Sequence, residues 1–303
     1  MASFGPRIRY KGWLEPIGHT IFFLKAIHRF IRTNKLCTIL LGPQYKRSRD
    51  FIEIDITYDC NLKCLNCNRS CRQAPSQLYM KASQIELFIK ESQNKRKQWK
   101  RIRILGGEPT MHPDLLKIIE MLRSSFQSDG TVIELATNGL SAKTKEMISS
   151  LPSDILIDNS EKTGIVNEHF GAFNVAPLDL AHFQCTSFSN GCQIAQLCGM
   201  GLTPFGYYCC AIAGGIDRVV GYNIGHQELP DDDDPMQDHF EKFCPLCGRF
   251  TSGHFIPWNF RKTLQEELIS LSWQKIYTEY SEKIPNLTFY GSQKRKTNDK
   301  SIH

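Results

Sequence analysis

Apolar and polar residues alternate along much of the chain in patterns that predict its secondary structure. Between residues 51 and 57, isoleucine alternates with acidic or hydroxyl side chains, which is typical of a strand. Such alternation, or a short apolar run, predicts four strands, at residues 51–57, 101–105, 131–136 and 154–157. A helical apolar stripe follows each of the first three strands. The first of these predicted helices has Ser83 as its N-cap, and the other two lie at 114–126 and 142–150.

This repeated order of strand, loop and helix predicts an α/β fold with a parallel sheet. In such folds ligands bind at the carboxyl ends of the strands, and here an unusual polar motif follows each strand. After residue 160 the repeat gives way to sequence rich in Phe, Asn, Pro and Gly. The remaining chain is too short for six repeats, so we expect an abbreviated, open partial (β/α) barrel.

Amphipathic segments precede and follow this region. Residues 17–33 predict a basic helix whose apolar stripe consists of Ile17, Ile21, Leu24, Ile27 and Ile31. We expect this helix to close an end of the barrel or to bind a partner, and contact with a membrane surface is the alternative. Residues 263–283 predict a final helix that packs on the barrel. Its apolar residues include Leu264, Leu268, Leu271 and Trp273.

Composition and charge narrow the class of protein. The 303 residues allow one large domain with an appendage and carry a formal net charge of +6. Residues 1–50 hold ten Lys and Arg against Glu15 and Asp50. Because no nucleic-acid-binding motif accompanies this charge, we interpret it as a solvated terminus. The twelve cysteines cluster in metal-type spacings and no signal peptide precedes them, which indicates a reducing cytoplasm.

Three cysteines stand in one short loop after the first strand. Cys60, Cys64 and Cys67 have the spacing C-x3-C-x2-C, and thiolates are soft ligands for iron–sulfur clusters or zinc. Three thiolates would leave one iron of a [4Fe–4S] cluster open to a small molecule. The spacing resembles that of the radical S-adenosylmethionine (SAM) superfamily. The resemblance implies that SAM binds the open iron and is cleaved by one electron to a 5′-deoxyadenosyl radical, which abstracts a substrate hydrogen.

The end of the second strand carries a motif that also resembles this family. Gly106, Gly107, Glu108 and Pro109 follow the strand directly, and glycine lets the backbone approach a ligand closely. In the family this loop binds the methionyl amino group of SAM. The resemblance assigns the same role to these four residues.

Polar residues after the third and fourth strands stand where related enzymes contact the ribose or carboxylate of SAM. They are Asn138, in the sequence Thr-Asn-Gly, and the pair Asn159 and Ser160. One departure from the family pattern is visible. The residue before the third cysteine is often aromatic and packs on adenine, whereas here it is Asn66.

A second set of cysteines lies in the C-terminal half of the chain. The sequence Cys-Pro-Leu-Cys-Gly at 244–248 is a knuckle that serves zinc ribbons and iron–sulfur sites alike. Beside the first loop, the set resembles the shortened SPASM or twitch extension, which implies an auxiliary [4Fe–4S] cluster. The spacing resembles that of twitch-type dehydrogenases that oxidise aminocyclitol alcohols. That resemblance assigns the ligands to Cys192, Cys210, Cys244 and Cys247.

Some assignments within this set stay open. Cys198 is the rival of Cys192 for the first ligand position. Cys210 is preferred to Cys209 because Gly-Tyr-Tyr leads into it, as in the family motif G-Y-Y-x-C. We expect the remaining cysteines to be ordinary thiols, namely Cys37, Cys71, Cys185 and Cys209.

The first three strands carry charged residues at alternate positions, among them Glu53, Asp55, Arg103 and Glu134. In a (β/α) barrel the aliphatic face of each strand meets the helices, so the charged face lines the lumen. Counted from the loops, these residues lie at similar depth beneath the SAM site. Enclosed charges must be paired, so we predict that Arg103 bridges at least one of the three carboxylates.

These observations predict a domain order and a function. We expect a basic helical extension at 1–49 and a radical SAM core at 50–180. A twitch-like domain follows at 181–255, then a C-terminal helix at 256–291 and a disordered tail at 292–303. The favoured substrate is a small sugar-like or cyclitol-like metabolite, and a peptide is the alternative. A flavodoxin-type or ferredoxin-type protein would donate electrons. The alternative of another class is a non-catalytic zinc-ribbon protein that binds nucleic acid.

Overall fold

One sheet organises the computed structural model, which describes residues 14–160, 162–166, 172–256, 260 and 266–292. Its strands are β1 (Phe51–Thr57), β2 (Arg101–Gly106), β3 (Val132–Thr137), β4 (Leu156–Asn159), β5 (Met200–Thr203) and β6 (Gly206–Tyr208). Their spatial order is β4-β3-β2-β1-β5-β6. The first five strands run parallel to their neighbours, and β6 is antiparallel to β5. The sheet does not close on itself, which confirms the predicted open partial barrel.

Helices follow the first three strands as predicted. The helices of the described residues are α1 (Leu14–Thr33), α2 (Lys35–Leu41), α3 (Ala82–Asn94), α4 (Leu115–Phe126), α5 (Ala142–Ser149), α6 (Gln193–Leu197), α7 (Ala211–Val220), α8 (Gln237–Phe243), α9 (Arg249–Ser252) and α10 (Leu271–Glu282). The predicted cap at Ser83 is wrong. Lys81 occupies the N-cap, and its backbone N–H donates to the Gln84 side chain at 3.0 Å. Ser83 therefore lies inside the first turn.

The two faces of the sheet differ in chemistry. Ile52, Ile54 and Ile104 are fully buried in a core that also contains Ile85 and Phe88 of α3. On the opposite face, the register places Glu53 beside Arg103 and Arg103 beside Glu134. The aliphatic face therefore meets the helices and the charged face lies inside the barrel, as predicted.

The C-terminal half adds a strand that the sequence patterns did not predict. Strand β5 pairs with β1 on the side away from β2, with Glu53 opposite Gly201. A Cβ on Gly201 would lie 2.4 Å from the Cα of Ala211, so glycine lets α7 pack directly on the sheet. Residues beyond position 180 thus continue the sheet of the core, while the division into domains stays a prediction.

Two expectations about flanking helices need correction. The apolar stripe of α1 is exposed, so these residues do not close the barrel. The last helix begins at Leu271, not at 263, with Leu268 and Leu271 exposed and Trp273 buried. Leu264 and the predicted tail beyond Ser292 lie outside the described residues. Among the helices described, none has both the length and the apolar character needed to cross a bilayer.

Candidate active site and auxiliary cysteine cluster

The loop after β1 turns its cysteines toward a common cavity. Asn66 and Ser70 have φ values of 52° and 51°, in the left-handed region where Asn is enriched. Between them, the backbone oxygen of Cys67 accepts from Ser70 N at 2.9 Å. The resulting loop places Cys60, Cys64 and Cys67 on the wall of one cavity of about 340 Å³. Asn66 itself is fully buried behind this wall.

The thiols of this loop are placed to share a cluster, although Cys60 and Cys67 differ in how readily they ionise. Burial raises the pKa of Cys60 to about 12. The thiol of Cys71, which also lines the cavity, hydrogen-bonds the sulfur of Cys67 and lowers the pKa of Cys67. A bound iron–sulfur cluster would supply the positive charge that stabilises all three ligand thiolates. Cys71 is thus a neighbour of the site, whereas the sequence patterns predicted an ordinary thiol there.

The glycine loop after β2 packs directly on the cysteine loop. A Cβ on Gly106 would lie 2.1 Å from Thr57 O, and one on Gly107 would lie 2.1 Å from Asp59 O. Gly107 N donates to Thr57 O at 2.8 Å. Both glycines line the cavity. Any side chain here would separate the two loops, so their close packing requires glycine at both positions.

Glu108 lies behind the cavity and fixes the loop after β3. Its carboxylate is fully buried and accepts from the Thr137 hydroxyl and from Asn138 N, both at 2.8 Å. It also accepts from the Thr110 hydroxyl at 2.8 Å. Pro109 is buried beside it and opens a short 3₁₀ turn. These contacts give Glu108 a positioning role for the cavity wall.

The remaining predicted SAM contacts divide into two groups. Asn138 and Ser160 line the cavity, and the Asn138 amide donates to the Asn61 side-chain oxygen at 2.8 Å. Asn159 instead packs under the turn at Gly139, where φ is 65° and a Cβ would lie 2.1 Å from the Asn159 oxygen. Asn159 therefore supports a turn. Asn138 and Ser160, the other two residues of this predicted set, face the cavity.

The charged floor beneath the cavity confirms the predicted role of Arg103. Its Nη1 lies 2.9 Å from the Glu53 carboxylate and its Nε lies 2.9 Å from the Glu134 carboxylate. It also pairs with Asp158, at the end of β4. Burial raises the pKa of Glu53, but Arg103 and then Arg69 outweigh burial and hold it below its ordinary value.

A second arginine of the floor was not predicted. Arg69, within the cysteine loop, lies 3.2 Å from Asp55 and 3.3 Å from Glu53. It therefore ties the cysteine loop to β1 and pairs the one predicted carboxylate that Arg103 does not reach. Arg69 lies between Cys67 and Cys71 in the sequence. It was not predicted because a loop has no periodic pattern that shows which of its residues are buried.

The C-terminal cysteines converge on a second, apolar cavity. Helix termini position three of them, since Cys192 and Cys210 precede α6 and α7 and Cys244 follows α8. Cys247 joins them in the same cavity wall. The other side chains of the wall are Cys209, Ile194, Ala195, Ile212, Ala213, Ile216, Phe240, Phe243 and Phe250.

This second set also fits a metal cluster. Burial raises the pKa of Cys192 and raises that of Cys244 well above its ordinary value. The four thiols are soft ligands for iron or zinc, and a cation would offset the cost of ionising Cys192 and Cys244. Cys198 lies elsewhere, because it lines the first cavity near Glu53.

Residues from the C-terminal half complete the wall of the first cavity. Arg249, His254 and Lys162 line it, together with Cys198. His254 shares a 2.7 Å hydrogen bond with the Tyr45 hydroxyl, and burial lowers the pKa of His254 to about 4. No sequence pattern marks these residues as part of the site, although Arg249 follows the knuckle directly.

Comparison with known proteins agrees with this geometry. Residues 54–153 match the family model described as the radical SAM superfamily. A probable GTP 3′,8-cyclase of Methanocaldococcus jannaschii is 35% identical over 100 residues, 33% of this chain and 32% of that protein. The GTP 3′,8-cyclase of Campylobacter jejuni is 32% identical over 108 residues, 34% of this chain and 32% of that protein.

Solved structures give weaker similarities. BtrN in complex with AdoMet and 2-DOIA has a TM-score of 0.42 and 13% identity, over 67% of this chain and 94% of BtrN. Streptococcus suis SuiB bound to its precursor peptide SuiA has a TM-score of 0.29 and 20% identity, over 37% of this chain and 24% of SuiB. The chain spans about a third of the length of the curated relatives it matches. The match to the radical SAM superfamily over residues 54–153 and the cysteine-lined cavity, which that region helps to form, together support a radical SAM enzyme.

Proposed function

We propose that this protein is a radical SAM enzyme whose first cluster is held by Cys60, Cys64 and Cys67. The supporting observation is that three thiols and two glycine backbones share the wall of one cavity. When bound there, a [4Fe–4S] cluster and SAM would supply a 5′-deoxyadenosyl radical that abstracts a hydrogen atom from the substrate. The family match argues against the non-catalytic zinc-ribbon alternative.

The chain's own residues would bind and orient SAM. Gly106 and Gly107 line the cavity, where backbone groups of this loop would hydrogen-bond the methionyl part of SAM. Asn138 and Ser160 offer polar side chains on the adjoining wall. Glu108 would act indirectly, because its hydrogen bonds keep Asn138 in place. Asn66 is buried away from the cavity, so a different residue would contact adenine.

We assign the auxiliary cluster to Cys192, Cys210, Cys244 and Cys247, with an electron-transfer role. Four protein ligands would leave that cluster no open position for a substrate. The walls around the cluster site are thiols and apolar side chains, which would not hold a polar molecule. Ile194 and Ile212 line both cavities, so a thin apolar partition separates the two sites. Such a cluster could accept the electron left after hydrogen abstraction, which suits an oxidation.

The substrate would be a small molecule. A cavity of about 340 Å³ is of the size that binds small molecules. A sugar-like or cyclitol-like alcohol fits the proposed oxidation better than a peptide does. A nucleotide is the second candidate, since the matched relatives are named GTP cyclases and Arg249 and Lys162 place cationic groups on the wall. A flavodoxin-type or ferredoxin-type protein would supply electrons.

The direct experiment measures 5′-deoxyadenosine after anaerobic reconstitution with iron and sulfide. With SAM and dithionite, the unmodified protein should form this product, and the Cys64→Ala variant should form none. Cys185→Ala is the matched control, because Cys185 is exposed and lies outside both cavities. Equal product from Cys64→Ala and the control would refute the assignment.

A further inference from the structure

The first two helices expose an unusually large apolar surface. The exposed side chains of this α1–α2 surface are Leu14, Ile17, Ile21, Phe23, Leu24, Ile27, Phe30, Ile31, Leu36, Ile39, Leu40 and Leu41. Ile39 and Leu40 are 78% and 81% exposed. Contiguous apolar patches of this kind mark sites that bind a membrane or another protein.

The surface faces outward because the opposite side of α1 is fixed to the protein. Arg29 is buried, and its Nη2 donates to Gly191 O at 2.7 Å and to Phe250 O at 3.1 Å. Its guanidinium also lies 4.3 Å from the centre of the Phe250 ring. Gly18 and Thr33 are buried on the same side of the helix. The apolar stripe of α1 therefore points away from the protein body.

Helix α2 is held in a similar way. Lys35 N donates to Cys185 O at 3.0 Å, and Ser187 N donates to Thr33 O at 2.7 Å. These bonds fasten the junction of α1 and α2 to the segment that precedes the auxiliary cysteines. Leu36, Ile39 and Leu40, at positions i, i+3 and i+4, therefore share one exposed face of α2.

Charge identifies the kind of surface that would cover these residues. Residues 14–41 contain Lys25, Arg32 and Lys35, in addition to the buried Arg29, and Glu15 is their one acidic residue. Residues 1–13 add three more basic residues and no acidic one. Basic residues beside an apolar face are attracted to anionic lipid headgroups. In a dimer formed through this surface, like charges would face one another.

We propose that the α1–α2 surface seats this protein on an anionic lipid membrane, with the apolar side chains of α2 inserted among the headgroups. The proposal does not depend on the radical chemistry. It predicts a membrane-bound enzyme in which α1 contacts lipid close to the second cysteine-lined cavity. Arg29 of α1 bonds to Gly191, which precedes Cys192, and to Phe250, which lines that cavity.

Vesicle co-sedimentation of the reconstituted 303-residue protein tests this inference. The protein should pellet with vesicles of phosphatidylcholine and phosphatidylglycerol and much less with phosphatidylcholine alone. Leu40→Glu should weaken binding to the mixed vesicles by roughly tenfold, since one buried leucine contributes at least that factor. Ile284→Glu is the matched control, because Ile284 is 68% exposed and lies outside the two helices.

A depth measurement and a mass measurement separate the alternatives. In mixed vesicles, the tryptophan introduced by Leu40→Trp should fluoresce. Lipids brominated along their acyl chains should quench that fluorescence. The proposal is overturned if Leu40→Glu pellets as well as Ile284→Glu, because binding would then be electrostatic only. It is also overturned if light scattering without lipid shows a dimer that Leu40→Glu dissociates, because a second copy would then cover the surface.

Discussion

The guanidinium of Arg103 lies 2.9 Å from the carboxylate of Glu53, beneath the cavity that the cysteine loop lines. The two residues are register partners on neighbouring strands, and Glu134 is the partner of Arg103 on the other side. Arg69 completes the floor by pairing with Asp55 and Glu53. The floor is thus a network in which each arginine holds carboxylates from more than one position.

Replacing Arg103 with methionine should destabilise the protein strongly. The change leaves Glu53, Glu134 and Asp158 without a shared cation in a largely buried site. Removal of one partner from a buried ion pair costs about 3–5 kcal/mol. Urea denaturation of Arg103→Met should therefore show a much lower free energy of unfolding than the unmodified protein.

Arg123→Met is the matched control for that prediction. Arg123 also contacts two carboxylates, Glu120 and Asp154, but on the protein surface. Exposed pairs contribute about 0–1 kcal/mol. An equal loss of stability in the two variants would contradict a buried structural network beneath the cavity.

Much of this floor could be predicted because it follows from local patterns. The period-two alternation on β1 and β2 places Glu53 and Arg103 on one face, and parallel pairing then brings them together. Cysteine spacing in the same way singled out Cys60, Cys64 and Cys67, which line one cavity. Arg69 was missed because it is a loop residue, and loop residues carry no period that shows which way they point.

Other features depend on long-range contacts that a single sequence does not display. Strand β5 is four residues long, and its place beside β1 depends on pairing across about 150 residues. The position of α1 depends on Arg29, which reaches Phe250. An apolar helical stripe looks the same whether a core or a membrane covers it, so the sequence predicted the helix but not its exposure.

Gly106→Ala should abolish SAM binding. The new Cβ would meet Thr57 O at 2.1 Å at a φ of 136°, so the glycine loop would have to move away from the cysteine loop. Gly130→Ala separates the steric effect from backbone strain, because Gly130 has a φ of 79° but nothing within 4 Å of its Cβ. Equilibrium dialysis with labelled SAM should show loss of binding in the first variant and full binding in the second.

His239 should make stability depend on pH. It is fully buried and its Nε2 lies 3.0 Å from Ile224 O. Burial lowers its pKa to about 4 from an ordinary 6.5. Unfolding therefore takes up a proton between these values, and stability should fall as pH decreases through this window, by up to about 1.4 kcal/mol per pH unit.

The measurement for His239 is the free energy of unfolding in urea at pH 7.5 and 5.0. In His239→Gln the loss between the two pH values should be smaller than in the unmodified protein. His182→Gln, at an exposed histidine, should keep the full loss. An unchanged loss in His239→Gln would show that other groups control the acid transition.

Iron content should distinguish Cys192 from Cys198. The two cysteines line different cavities, and Cys192 shares its cavity with Cys210, Cys244 and Cys247. Two [4Fe–4S] clusters amount to about eight irons per chain. After reconstitution, Cys198→Ala should keep about eight irons, whereas Cys192→Ala should keep about four. The reverse result, or zinc in place of iron, would contradict the assigned ligands.

Cys60, Cys64 and Cys67 are proposed to hold a cluster whose remaining iron is open to SAM. Electron paramagnetic resonance of the dithionite-reduced protein tests this proposal most directly, in a Cys192→Ala background that lacks the auxiliary cluster. Addition of SAM should change the g-values of the remaining signal, because SAM would bind the open iron. A signal that SAM leaves unchanged, although dialysis shows that SAM is bound, would contradict the account.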